Sequence, residues 1–132
     1  MQYKLTNKIK NCDTLRCSFM NLSSEVFGLS FNDWYKNGYW TDKYIPYALT
    51  DGNKVVSNAS VNIMDTVWQG KTKRYIQIGT VMTDPKYRNQ GCGKFIIQKI
   101  LSDWKDKCDC IYLFANSSVL NFYPKFGFIR TD

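Results

Sequence analysis

The segment Thr83-Asp84-Pro85-Lys86-Tyr87-Arg88-Asn89-Gln90-Gly91-Cys92-Gly93-Lys94 constrains this chain more than any other stretch. Before it, Arg74 to Thr83 reads as a strand, with Ile76, Ile78, Thr80 and Met82 expected on one face and Tyr75, Gln77, Gly79 and Val81 on the other. Pro85 ends that strand. After the glycines, Phe95, Ile96, Ile100, Leu101 and Trp104 trace an apolar stripe that predicts a helix from about Gly91 to Asp106. A strand that feeds a helix through a small-residue turn gathers unpaired backbone N–H groups at the helix N-terminus, where the macrodipole also favours negative charge. Gly91 and Gly93 have no side chain to keep a phosphate from those amides, and Arg88 and Lys94 add mobile positive charge beside them.

Other phosphate loops fit badly. A Walker A loop needs Gly where Arg88 stands and Ser or Thr where Phe95 stands, and a dinucleotide fingerprint needs Gly where Ile96 stands. Taken alone, the segment also reads as a plain strand–turn–helix with a glycine-rich turn.

The rest of the chain supplies alternating elements. Tyr3 to Leu5 reads as a first strand, and Leu15, Phe19 and Leu22 place one apolar stripe on a helix. Ser30 with Asp33 reads as the start of a short helix carrying Phe31, Trp34 and Tyr35, stopped by Gly38. Ile45 to Thr50 and Lys54 to Asn62 flank Asp51-Gly52, a tight-turn signal, and Gly70 marks a further reversal. Cys110 to Ala115 reads as a short strand, and Val119 to Phe126 as a short helix that Pro124 interrupts and Gly127 ends. The order is that of a mixed α/β layer architecture with α+β character, in one domain spanning residues 1–132.

Composition narrows the classes. No stretch approaches the ~20 apolar residues of a membrane span, and Met1 to Lys8 lacks the apolar core of a signal peptide, so a cytoplasmic protein with no membrane partner is expected. Five cysteines, an odd number, are read as reduced and buried structural thiols. With no histidine and no CxxC pair, no metal site is expected. The net charge of +7 suits nucleic acid, a membrane surface or a polyanionic cofactor. Because the basic residues are scattered instead of massed on one helix, no nucleic-acid partner is expected.

Val81 to Gly93 resembles motif A of the GNAT superfamily of N-acetyltransferases, whose core is Arg/Gln-x-x-Gly-x-Gly/Ala after a Pro-x-Tyr-Arg run. Asn116, Phe122-Tyr123 and Gly127-Phe128 resemble the same family's downstream block. The element order matches as well, so the resemblance covers nearly the whole chain. It implies the GNAT fold and an acetyl-CoA-dependent N-acetyltransferase acting on a small-molecule or peptide amine. The implied phosphate loop is Arg88, Asn89, Gln90, Gly91, Cys92, Gly93 and Lys94. Val81, Met82 and Thr83 would meet the pantetheine arm through the backbone, with Asn116 bonding it from the neighbouring strand. The Val81 N–H would hold the oxyanion, and Tyr123 would protonate the departing thiolate. Phe31, Trp34, Tyr35, Tyr39, Trp40, Tyr44 and Tyr47 would line an aromatic pocket for a cationic amine, with aromatic core packing as the alternative.

Two departures stand out. Gln77, eleven residues before Arg88, occupies the place where many family members carry a Glu base, and an amide accepts no proton at neutral pH. Glu25, Asp42 and Asp65 are distant candidates, and the alternative is a non-catalytic acyl-CoA-binding or regulatory domain. The chain also ends at Asp132, shortly after Phe128, where the family adds another strand. The fold is therefore expected to lack its last strand, as the N-terminal part of a longer protein with a further C-terminal domain, or as a homodimer that borrows a strand.

Overall fold

Two tight reversals organise the sheet. In the computed structural model, which describes residues 3–28, 31–113 and 129, Gly52 takes φ 61° and closes a hairpin between β2 (Tyr44–Asp51) and β3 (Lys54–Trp68). Gln69 and Gly70, at φ 49° and 77°, join β3 to β4 (Lys71–Thr83) through two residues that both have positive φ, the geometry that suits the right-handed twist of paired strands. β1 (Lys4–Thr6) lies against β2, and β5 (Cys110–Leu113) runs parallel to β4. The strands are ordered β1-β2-β3-β4-β5, antiparallel up to β4. β3 and β4 outrun the expected limits of Asn62 and Arg74: the pairs from Asp65↔Arg74 to Trp68↔Lys71 form a two-stranded ribbon with Val67 and Trp68 exposed at its tip.

Each face of the sheet carries helices. α3 (Cys92–Trp104) buries Cys92, Ile96, Ile97 and Ile100 against Tyr47, Leu49, Val56, Ala59, Val61, Ile76 and Ile78. α1 (Asp13–Phe27) presents Phe19 and Leu22 to the opposite face, where Ala48, Val55, Met82 and Trp40 complete a second core. α1 ends at Gly28, whose φ of 68° lets its N–H reach the Ser24 carbonyl. α2 (Asn32–Lys36) starts after Phe31, and Gly38 follows at φ 76°. Among the described residues no helix is long and apolar enough to cross a membrane. Of the cysteines expected inside, Cys92 is buried, whereas Cys17 and Cys110 are exposed.

Two bulges break the ladder. Between the pairs Leu49↔Ser57 and Thr50↔Val55, β3 carries an extra residue, next to Val55 and Val56, which pack in opposite cores. Between Ser60↔Gly79 and Asn58↔Met82, the extra residue is on β4. The second bulge corrects the expected alternation. Ile76 and Ile78 face α3 as one set, but Thr80 and Met82 lie on the α1 side, and Val81 packs with the α3 core instead. An inserted residue flips every side chain beyond it to the other face.

Candidate functional site

The connection from β4 to α3 is fixed by contacts from three elements. Asp84, whose own N–H donates to the Val56 carbonyl at 2.8 Å, accepts at Oδ1 from the Lys86 N–H (2.9 Å) and caps a 3₁₀ turn, Pro85–Tyr87. Lys54 Nζ lies 3.1 Å from Asp84 Oδ2 and 5.3 Å from the centre of the Tyr87 ring. The Tyr87 hydroxyl donates to Asp51 Oδ2 (3.1 Å), and its ring meets Tyr3 edge-on with centroids 5.6 Å apart. The Tyr3 hydroxyl donates to Gln90 Oε1 (2.8 Å). Hydrogen bonding to Asp51 and burial push the Tyr87 phenol above its ordinary value, so it stays a donor.

Beyond that anchor the chain opens. Arg88, Asn89, Gln90, Gly91 and Lys94 are exposed. Asn89 and Gly91 take φ 64° and 78°, and Gly91 caps α3 without a side-chain acceptor or an acidic residue in the first turn. The first helical bond of α3 runs from the Phe95 N–H to the Gly91 carbonyl at 3.0 Å; the Gln90 N–H closes the turn over Arg88 and Asn89, and among the described residues no backbone N–H from Gly91 to Lys94 has an acceptor. A Cβ placed on Gly91 meets nothing within 4 Å. The result is a run of free donors at the positive end of a helix dipole, flanked by Arg88 and Lys94, which suits a bound di- or polyphosphate. Cys92 joins this run through its amide only. Its side chain is buried, its Sγ lies 3.8 Å from the Tyr87 carbonyl, and burial pushes its thiol up, away from thiolate chemistry.

Val81, Met82 and Thr83 lead into the loop from the bulge. The Met82 side chain is core, and Ser57 Oγ lies 3.2 Å from the Met82 carbonyl and 2.8 Å from Thr83 Oγ1. Behind the bulge lies a polar cluster. Asn58 Nδ2 donates to the Thr80 carbonyl and to Ser60 Oγ, both at 3.0 Å; Ser60 Oγ donates to Tyr44 Oη (2.9 Å), and Tyr44 Oη is 2.8 Å from Thr80 Oγ1. Burial outweighs the hydrogen bonds of Ser60 and Thr80 and raises the Tyr44 phenol above its ordinary value, which keeps it protonated.

The aromatic residues divide. Phe19, Phe31, Trp34, Tyr35, Trp40 and Tyr44 pack against one another, stacked, tilted or edge-on, at centroid distances between 5.2 and 5.9 Å, as core packing. Tyr39 is exposed, and Tyr47 is on the α3 face, bonded to Asp103 and Trp104, so neither joins that cluster. Gln77 pairs with Asn62, whose Nδ2 donates to the Gln77 carbonyl at 3.3 Å.

The distant carboxylates are also placed. Asp65 accepts from Arg74 Nε (2.7 Å) and lies against Lys43; these cations hold its carboxyl far below the usual range, which unfits it as a base. Glu25 lines an open groove of about 550 Å³ with Asp13, Lys54 and Asp84, and Asp42 lines another with Lys8, Trp40 and Tyr44; neither groove includes a residue of the loop. Among the described residues no group of three or more Cys, Asp or Glu side chains could hold a metal. Asn116, Phe122, Tyr123, Gly127 and Phe128 lie outside the described residues.

Sequence reasoning missed the anchors of the loop and the cluster behind the bulge. Asp84 before Pro85 is a turn-capping signal, and Asn58 and Ser60 are polar residues between the apolar Val55-Val56 and Val61, so both left a trace.

Comparison with known proteins adds family and fold. The profile of the acetyltransferase (GNAT) domain matches residues 14–130. No curated protein sequence matches. Among solved structures, a Trypanosoma brucei acetyltransferase superposes with a TM-score of 0.79 at 22% identity, over 99% of this chain and 95% of that one. Glucosamine-6-phosphate N-acetyltransferase from Arabidopsis thaliana gives 0.79 at 17% identity, over 100% and 95%. A predicted acetyltransferase with acetyl-CoA from Clostridium acetobutylicum gives 0.68 at 19% identity, over 99% and 91%. At these identities the likeness is one of fold.

Proposed function

Because the chain belongs to the GNAT acetyltransferase family, we propose that it moves an acetyl group from acetyl-CoA directly to an amine. The observation that carries this reading is the run of N–H groups from Gly91 to Lys94 that have no acceptor among the described residues, at the start of α3 and downstream of a bulged strand. The site fits the cosubstrate in kind: its pyrophosphate needs several donors and positive charge, and the loop supplies the amides, Arg88 and Lys94. Acetyl-CoA supplies an activated acyl thioester when bound.

The roles of this chain's residues follow. The backbone of Val81, Met82 and Thr83 lines the pantetheine arm, with Asn116 as its second hydrogen-bonding partner. The Val81 N–H faces the carbonyl oxygen on which negative charge develops, a contribution that grows in a water-poor site. The amine nitrogen bonds to the acyl carbon, the carbon–sulfur bond breaks, Tyr123 gives its phenolic proton to the thiolate, and the proton that the acylated nitrogen sheds passes through solvent to restore the phenol. The attacking amine must be neutral, and a lysine-type amine with pKa ~10.4 must first lose a proton. Gln77 accepts none, so the proton leaves through solvent or the amine binds neutral.

Gln77, and the neutralisation of Asp65 by Arg74 and Lys43, also favour a second reading, a non-catalytic acyl-CoA-binding domain. An acceptor screen separates the two. The full chain is incubated with acetyl-CoA and a panel of amino sugars, polyamines and peptides, and release of free CoA thiol is followed. Amine-dependent release is expected. Tight acetyl-CoA binding with no release for any amine would favour the second reading.

A further inference from the structure

Thr80 is β-branched, yet its φ is 49°, a conformation that glycine adopts freely and threonine rarely does. Such a residue persists only where its surroundings hold it. Here they do so at two atoms. Asn58, 1% exposed on β3, spends one amide proton on the Thr80 carbonyl and the other on Ser60 Oγ. Ser60 passes its own proton to Tyr44 Oη, which leaves the Tyr44 hydroxyl proton for Thr80 Oγ1. The hydrogen bonds therefore form a closed circuit that begins at the Thr80 carbonyl and ends at the Thr80 hydroxyl. Among the described residues the buried Asn58 Oδ1 has no partner, so this amide works there only as a double donor, and an apolar side chain would avoid the cost of that orphaned oxygen.

The Thr80 carbonyl and the Val81 N–H belong to one peptide unit. In a planar trans peptide the two point in opposite directions. A carbonyl fixed on Asn58 therefore fixes the Val81 N–H pointing away from Asn58. A hydrogen bond accepted by the carbonyl also polarises the N–H of the same unit. We propose that Asn58 and Tyr44 are positioning residues for acyl transfer, holding the Thr80–Val81 peptide so that its N–H meets the oxygen of the transferred acyl group. This rests on the acetyltransferase reading above, and neither side chain touches the substrate in it.

The test uses the ¹⁵N-labelled full chain with Tyr44→Phe and Asn58→Leu, each close in shape to the residue it replaces. Three readouts are taken. The Thr80 amide–α-proton coupling reports its φ without any ligand. The Val81 amide resonance is followed as acetyl-CoA is added. Kinetic constants are measured with the best acceptor found. In wild type the coupling is expected to match a left-handed φ and the Val81 amide to shift on binding. In both variants the coupling should move to an extended value. Loss of an oxyanion donor costs ~10²–10³-fold in kcat, so a misdirected one should cost at least ~10-fold while KM for acetyl-CoA stays within about twofold. A variant that packs worse but leaves the peptide alone would lower the melting temperature without that split. An unchanged coupling in Tyr44→Phe, or a Val81 amide unmoved by bound acetyl-CoA, would overturn the proposal even if the enzyme turns over. Absence of acetyl-CoA binding in wild type would sink the underlying reading instead, with the coupling still deciding whether the circuit holds Thr80. If Asn58→Leu does not fold, Tyr44→Phe decides alone.

Discussion

Lys54 Nζ sits 3.1 Å from Asp84 Oδ2, while the other carboxylate oxygen of Asp84 accepts from the Lys86 N–H, so one aspartate ties the β2–β3 hairpin to the turn that launches the loop. The Lys86 N–H, with Lys54 beside it, holds the Asp84 carboxyl below the usual carboxylate range. A carboxyl depressed in the folded state adds stability above its unfolded pKa of ~3.9, and that stability is lost as pH falls through the folded value. Asp84→Asn, which keeps an acceptor for the cap, should flatten this acid limb in melting temperature against pH. Asp84→Ala should also lose the cap, about 1 kcal/mol, and weaken acetyl-CoA binding.

At Gly91 a new side chain meets no atom within 4 Å, but φ is 78°. Gly91→Ala should therefore destabilise through the backbone alone, by about 1–2 kcal/mol in chemical denaturation. Gly91→Glu adds a carboxylate beside the free amides and should abolish acetyl-CoA binding while the fold survives. Retained affinity in that variant would place the cofactor elsewhere.

Tyr47 locks α3 to β2, donating to Asp103 Oδ2 (2.8 Å) and accepting from Trp104 Nε1 (3.0 Å). Burial first, then the hydrogen bond to Asp103, pushes its phenol up to about 12. An unfolded tyrosine titrates near ~10, so above that pH the folded state keeps a proton that the unfolded state has lost. The contribution is complete below ~10 and fades as pH rises towards about 12. Tyr47→Phe should cost about 1 kcal/mol near neutrality and remove this alkaline component from the pH profile of stability.

Much of this was legible, and the failures share a cause. Asp51-Gly52, Gly70 and the stripe of Ile96 and Ile100 announced two hairpins and α3, because turn chemistry and apolar period are local properties. The bulge at Thr80 was not legible. It is set by Asn58, Ser60 and Tyr44 on other strands, and period-2 alternation assumes that no residue is inserted. The ribbon beyond Asn62 was missed because an exposed two-stranded tip has no buried face to enforce a pattern. The loop itself was readable as donors and charge, but its anchors, Asp51, Lys54 and Tyr3, are remote in sequence. Tyr47 and Tyr44 looked alike as aromatic residues in one run; β2 begins at Tyr44, one residue before the expected Ile45, and alternation along it sends the two to opposite faces.

Tyr123 stands on the spacing of Asn116, Tyr123 and Gly127-Phe128 in the sequence. Tyr123→Phe keeps the ring and removes the proton. With the best acceptor, kcat should fall by ~10²–10⁴-fold while acetyl-CoA affinity changes little. A kcat within about threefold of wild type would assign the leaving-group proton to another donor.

Acetyl-CoA binding to the loop is measured most directly by thermal unfolding of the full chain with and without acetyl-CoA. With ligand about one hundred times above Kd, linkage should add ~2.7 kcal/mol and raise the melting temperature, while Gly91→Glu stays flat. A melting temperature unchanged by millimolar acetyl-CoA would contradict the assignment of Arg88 to Lys94 as its pyrophosphate site.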